Sequence, residues 1–132
     1  MSFLVDTDIC SAFLKGDHEV WQRCMQYAGQ LHVSAMTVGE LYTWALRSRA
    51  SPKRLRILVD FLKDVTVLEV TTEVAQRFGE IRAGLLDAGR SAPQMDLMIA
   101  ATALTHDLTL VTHNTQDFRH VPGLTIVDWL SP

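Results

Sequence analysis

Short β-rich apolar runs recur along this 132-residue chain, and between them the apolar positions fall at helical spacing. Phe3-Leu4-Val5 is the first run and ends directly on Asp6. Ile9 to Leu14 reads as a short helix closed by Gly16, and Asp17 caps a second carrying Val20, Cys24, Tyr27 and Ala28. Gly29 ends that helix, and Leu31-His32-Val33-Ser34 is a second strand. Thr37, with Glu40 three residues on, has the form of a capping box opening the helix of Leu41, Tyr42, Ala45 and Leu46. Ser51-Pro52 breaks that helix and starts another, with Leu55, Leu58, Val59 and Leu62 as its stripe.

The remaining pattern repeats the theme. Val65 to Val70 alternates as a third strand, and Thr72 caps a long helix with Val74, Phe78, Ile81 and Leu85 on one face before Gly89. Ser91 to Met95 is a loop, and Asp96 to Leu104 opens a helix apolar nearly all round, hence buried on most sides. Leu108 to Val111 is strand four, Thr112 to Phe118 a polar loop, and Leu124 to Val127 a last strand. Strands separated by helical segments predict a parallel sheet with helices on both faces, an α/β fold.

Composition narrows the class without changing that picture. The length fits one domain over residues 1–132, able to bury roughly two-thirds of its unfolded surface. With 48% hydrophobic and 20% charged residues, the chain is of ordinary globular type. The longest apolar run, Leu97 to Ala101, is too short for a membrane span, and the N-terminus does not read as a signal peptide; a cytoplasmic location is expected. Cys10 and Cys24 have no zinc-ligand spacing and read as buried free thiols. The net charge of −3 is wrong for a protein that coats nucleic acid, so any such function needs a local basic surface, a basic partner or bound cations.

Four acids stand out by position. Asp6 and Asp117 follow strands on their carboxyl side, Glu40 lies early in the helix after strand two, and Asp96 opens a buried helix. In a parallel sheet all four points can share the edge where ligand crevices form. Each has a bland reading alone: Asp6 as a helix cap, Glu40 as the partner of Thr37, Asp96 as a charge meeting the helix dipole, Asp117 as a turn former beside Asn114. Together they would repel unless protonated or neutralised by a cation. Oxygen donors without His or Cys suit Mg²⁺, or Mn²⁺, and phosphodiester chemistry.

These motifs resemble the PIN-domain ribonucleases, and within them the VapC-type toxins of bacterial toxin–antitoxin pairs. The likeness runs almost end to end: Leu4-Val5-Asp6-Thr7-Asp8-Ile9, Thr37-Val38-Gly39-Glu40-Leu41, Asp96-Leu97-Met98-Ile99-Ala100-Ala101, and Thr112-His113-Asn114-Thr115-Gln116-Asp117-Phe118, then Pro122-Gly123-Leu124 and Asp128-Trp129. The resemblance implies a three-layer α/β/α sandwich around a five-stranded parallel sheet. It also implies Mg²⁺-dependent endonucleolytic cleavage of RNA by a metal-activated water, leaving 5′-phosphate and 3′-hydroxyl ends. By position, Asp6 and Asp96 would be the principal metal ligands. Glu40 and Asp117 would complete the catalytic cluster directly or through water, and Thr112 and Asn114 would shape the loop presenting Asp117. The implied partners are an RNA, a cognate antitoxin, operator DNA reached only through that antitoxin, and a second copy of the chain in a homodimer. Two positions depart from the family pattern. Asp8 stands where Asn is usual and reads as a helix cap rather than a ligand, and Gln94-Met95 replaces a customary glycine.

Five of the twelve Lys and Arg residues, Arg47, Arg49, Lys53, Arg54 and Arg56, cluster in one stretch. They form either a solvated helix face or a surface that steers the phosphate backbone toward the acids. The five histidines show no ligand spacing, and Trp21, Trp44 and Trp129 read as core or interface anchors. Asp6-Thr7-Asp8 after a strand also looks like the opening of a haloacid-dehalogenase-type phosphatase, but Cys10 stands where that family expects Thr or Val, and no lysine follows Lys63. A non-enzymatic partner-binding module is the other alternative.

Overall fold

The structure, a computed structural model, describes residues 1–130; Ser131 and Pro132 lie outside them. Twelve elements follow one another: β1 (Phe3–Val5), α1 (Thr7–Leu14), α2 (His18–Gln26), β2 (Leu31–Ser34), α3 (Ala35–Leu46), α4 (Pro52–Lys63), β3 (Thr66–Leu68), α5 (Thr72–Asp87), α6 (Gln94–Thr105), β4 (Thr109–Val111), α7 (Thr115–Phe118) and β5 (Ile126–Val127). The strands form one sheet in the order β3-β2-β1-β4-β5, and every pairing is parallel.

The pleat explains the two layers of helices. Phe3 and Val5 point to one face, where they join Ile9, Cys10, Val20, Leu41 and Leu58 from α1–α4. Leu4 points to the other, with Val74, Ile81, Leu97, Ile99 and Phe118 from α5–α7. Leu4 and Leu110 are fully enclosed at 0% exposure, and burying such a side chain stabilises the fold by roughly 1.5–3 kcal/mol. Both cysteines are free and buried in the first face, as expected. No helix among the described residues is long and apolar enough to cross a membrane.

The helix starts differ from the sequence pattern in ways that bear on the acids. The cap of α3 is Ser34, whose Oγ accepts from Thr37 N at 3.1 Å, not Thr37 itself. Strand β2 runs into α3 without a loop, so the strand's last hydroxyl caps the helix and Glu40 is released from the capping-box role. Thr71, not Thr72, caps α5. Helix α6 begins at Gln94, two residues before Asp96, and the predicted polar loop 112–118 holds the one-turn helix α7. Strands three and five are shorter than their apolar patterns. They are the sheet's edges, where each ladder has a partner on one side only.

Candidate active site

The chain builds β1, β2 and β3 outward in one direction, then returns to add β4 on the other flank of β1. The reversal leaves a crevice outside the carboxyl ends of β1 and β4, the position where open α/β sheets bind ligands. Asp6 sits at its floor, only 7% exposed. It is the N-cap of α1: its Oδ1 accepts from Thr7 N at 2.8 Å. Its Oδ2 accepts from the hydroxyl of buried Thr112 at 2.8 Å, tying the end of β1 to the end of β4. Thr112 Oγ1 in turn accepts from Asn114 N at 3.1 Å, so one hydroxyl fixes both the acid and the loop after β4. Thr112→Val should therefore destabilise the fold by about 1–3 kcal/mol, because at nearly constant volume it removes one donor from a buried carboxylate and the acceptor of Asn114 N. Thr112→Ser should recover most of the loss in thermal denaturation; equal melting of the Val variant and the parent would show the bond to be idle.

Asp8 is not the cap that its position suggested. It lies one residue inside α1, where Oδ1 accepts from Ile9 N at 2.8 Å and Oδ2 from His113 N at 3.0 Å. It is a second strut to the loop after β4. On the β2 side, Thr7 Oγ1 lies 2.6 Å from Glu40 Oε1 and 3.2 Å from Thr37 Oγ1. Ser34, Thr37 and Thr7 thus orient Glu40 from beneath. Sequence reading missed Thr7 in this role; its only signal was a hydroxyl between two acids at a strand end. Asp117, exposed on α7, accepts from the Asn114 side-chain amide, so Asn114 braces the carboxylate directly and makes no side-chain bond to the backbone of α7, unlike the Asx-turn expected of it.

Electrostatics join the remaining acid to these. Asp96 is pushed up to about 6, chiefly by burial, then by the charges of Asp117 and Glu40, by a hydrogen bond with Asp117, and by Asp8. Burial also pushes Asp6 up to about 6, helped by the charges of Asp8 and Asp96 and opposed by the bonds from Thr112 and Thr7. Asp8 is raised as well, first by burial. Among the described residues no Lys or Arg forms an ion pair with any of these five acids. Uncompensated carboxylates of this kind call for a proton or a cation.

The donor set fits a hard divalent ion held largely through water. Among the described residues, no three His, Cys, Asp or Glu side chains are disposed to ligate one ion directly. Mg²⁺ tolerates that, since it keeps several waters and takes one or two carboxylates. Asp6 and Asp96 are the two acids whose protonation is most strongly favoured by their surroundings, so they are the two that a cation would relieve most.

Comparison with known proteins identifies the scaffold. The PIN domain family model matches residues 3–124. The chain belongs to the PIN-domain family. Within it the chain is a VapC-type ribonuclease: it is 33% identical over 131 residues to Ribonuclease VapC2 of Haemophilus influenzae, covering 98% of this chain and 99% of the relative. It is also 33% identical over 130 residues to the tRNA(fMet)-specific endonuclease VapC of Shigella flexneri, covering 98% of each. Among solved structures, a chain of the DNA-bound VapBC crystal structure from Salmonella typhimurium superposes with a TM-score of 0.91 at 31% identity, over 98% of each chain. These likenesses favour the nuclease reading over the phosphatase and the non-enzymatic module.

Within this PIN domain the basic cluster divides. Arg47, Arg49 and Arg54 line a depression of about 610 Å³ together with Glu40, so the α3–α4 turn does abut the acidic crevice. Arg54 is already engaged, with its guanidinium 5.0 Å over the Trp44 ring and Nη1 donating to Trp44 O at 3.1 Å. Lys53 and Arg56 are exposed on α4 and do not line that depression. Trp129 is a core anchor against Phe3 and Tyr27, whereas Trp21 is 47% exposed and stacks on His18 rather than on the core. His113 is exposed in the loop after β4, with its Nδ1 3.0 Å from Asp128 Oδ2.

Proposed function

We propose that this PIN domain is the toxin of a toxin–antitoxin pair, a Mg²⁺-dependent endoribonuclease that cuts a single-stranded loop of transfer or ribosomal RNA. Support for the reading comes first from the uncompensated carboxylates around Asp6, raised toward protonation at the sheet's switch point. The initiator transfer RNA is the first substrate to try, given the tRNA(fMet) specificity of the Shigella flexneri relative. Loops are favoured because their unstacked bases can be read. An antitoxin would control the enzyme in the cytoplasm, with operator DNA bound only through that partner and with the toxin as a homodimer; the crystallised VapBC relatives motivate the antitoxin and DNA proposals.

Asp6 and Asp96 would hold the cation. A bound Mg²⁺, or Mn²⁺ in its place, would supply Lewis acidity, lowering the pKa of water and neutralising charge on the phosphate. Glu40, held at Oε1 by Thr7, keeps its second carboxylate oxygen for orienting water. Asp117, braced by Asn114, does the same from the far wall. Thr112 fixes Asp6, and Arg47 and Arg49 draw the phosphate backbone to the Glu40 side.

Purified protein incubated with initiator transfer RNA, and in parallel with total RNA, should cut at discrete sites in Mg²⁺ and not in EDTA. Cutting that persists in EDTA at the same rate would overturn the metal requirement, and no cutting of any RNA in Mg²⁺ or Mn²⁺ would overturn the nuclease proposal. In the same assay, Arg47→Glu with Arg49→Glu should slow cleavage and flatten its dependence on salt. An unchanged salt dependence would remove these arginines from the substrate path.

A further inference from the structure

Arg90 stands where three depressions on the α5–α6 side meet. The first, of about 320 Å³, reaches from Asp117 and Gln116 past Ser91 to Arg90 and His120. The second, of about 440 Å³, continues from the same two residues over Ile81, Leu85, Leu104 and Pro122. The third, of about 170 Å³, brings Arg82 and Gln94 to Arg90. A path therefore runs from the acidic crevice, by way of Arg90 and His120, into a mostly apolar pocket on the wall opposite Arg47 and Arg49.

The chemistry of the junction is that of an anion site. Arg90 is rooted at the end of α5, its backbone N–H donating to Leu85 O at 2.8 Å after the left-handed Gly89. Its Nη1 lies 3.2 and 3.1 Å from Nδ1 and Nε2 of His120. A guanidinium has five N–H donors and a neutral imidazole one acceptor, so this contact leaves most of Arg90's donors unused. Among the described residues no carboxylate lies within ion-pair distance of Arg90, whereas Arg77 on the same pocket is paired with Glu80 at 3.8 Å. The pocket beyond has mostly apolar walls, with the Arg77–Glu80 pair at its margin, and lies within the roughly 300–1,000 Å³ range of small-ligand sites.

We propose that Arg90 and His120 bind a phosphate of single-stranded RNA beside the scissile position, and that the adjoining pocket takes the unstacked base of that nucleotide. The inference rests on the nuclease reading above and adds a second, specificity-determining wall to it. A phosphate contact next to an apolar slot is what a nucleotide presents, and Arg planes and apolar surfaces both accept splayed bases. An acidic peptide would use the guanidinium but leave the pocket's apolar lining without a matching group.

The test measures binding of a fluorescein-labelled single-stranded RNA of mixed sequence by anisotropy, in an Asp6→Asn background so that the probe stays intact. Arg90→Ala should weaken binding about tenfold, as loss of a charged contact does. It should also lower the slope of log affinity against log salt by about 0.7, the value for one phosphate on a single strand. Arg90→Lys should restore the slope but only part of the affinity. Gly84 lines the pocket, and a Cβ there meets nothing within 4 Å, so Gly84→Leu should fill the slot, weaken binding several-fold and leave the melting temperature no lower. In the active protein, Arg90→Ala should raise KM for RNA more than it lowers kcat. Unaltered affinity and salt slope in both Arg90→Ala and Arg90→Glu would overturn the inference. So would Arg90-dependent capture of polyglutamate with RNA binding intact. Failure of the parent to cut RNA while Arg90-dependent RNA binding persists would sink the nuclease proposal and support this site; normal cleavage with unchanged KM in Arg90→Glu would do the reverse.

Discussion

Asp6→Asn should cost at least about 100-fold in Mg²⁺-dependent cleavage and yet make the metal-free protein more heat-stable at pH 8. The activity loss follows from proposing Asp6 as a metal ligand, since even groups outside the ligand shell commonly cost 10–100-fold. The stability gain follows from burial. Asp6 is raised from an ordinary 3.8 to about 6 in the folded protein, first by desolvation and then by Asp8. The folded state thus binds more protons than the unfolded state between those values, so stability falls as pH rises through the window and the penalty is complete above it. A shift of that size corresponds to roughly 3 kcal/mol. The substituted amide can still accept from Thr7 N, while the Thr112 hydroxyl must turn, which offsets about 1 kcal/mol. In EDTA at pH 8 the variant should melt roughly 5–10 °C above the parent, and near pH 4 the advantage should vanish. Adding Mg²⁺ should raise the parent's melting point at pH 8 and leave the variant's almost unmoved. A variant that melts lower at both pH values would mean that the carboxylate stabilises the fold rather than straining it.

Phe118→Ala should be the most damaging single core truncation for the site. Phe118 is completely buried and is the largest such side chain among the described residues, which sets the loss at about 3–5 kcal/mol. It is also the one buried residue of α7, a single turn that lacks a side-chain cap bond. One turn of helix has no stability of its own, so the ring holds α7 against the β4–α6 face and with it the adjacent Asp117. Cleavage at 15 °C, where the variant remains folded by circular dichroism, should therefore fall further than the folded fraction does. Phe118→Leu should retain most of both properties. Folded Phe118→Ala protein with the parent's rate would show that Asp117 is not positioned through this ring, or not needed.

Much of the fold was legible because its determinants are local and periodic. Phe3-Leu4-Val5 and Leu110-Val111 read as strands from β-branched and apolar content, and α5 and α6 from helical spacing; parallel pairing followed from their alternation. Asp6, Glu40, Asp96 and Asp117 could be singled out because strand ends and helix starts are visible in a sequence. Boundaries failed where competing hydroxyls stood within a few residues, as at Ser34 against Thr37 and Thr71 against Thr72. Propensity ranks such caps almost equally, and only the path of the incoming strand selects one.

What tertiary structure decided is which distant groups meet. The strand order β3-β2-β1-β4-β5 puts Thr112 beside Asp6 across 106 residues, makes Asp8 a strut to His113 instead of a cap, and turns Thr7 under Glu40. It also separates Arg54, spent on Trp44, from Arg47 and Arg49, and sets Arg90 against His120 at a junction that no spacing announces. The sequence by itself determined the elements and the chemical character of the crevice, because hydrophobic period and carboxylate identity are properties of short segments. The partner of each carboxylate is a property of sheet topology, and burial, which raises Asp6 and Asp96 together, exists only once the chain has closed around them.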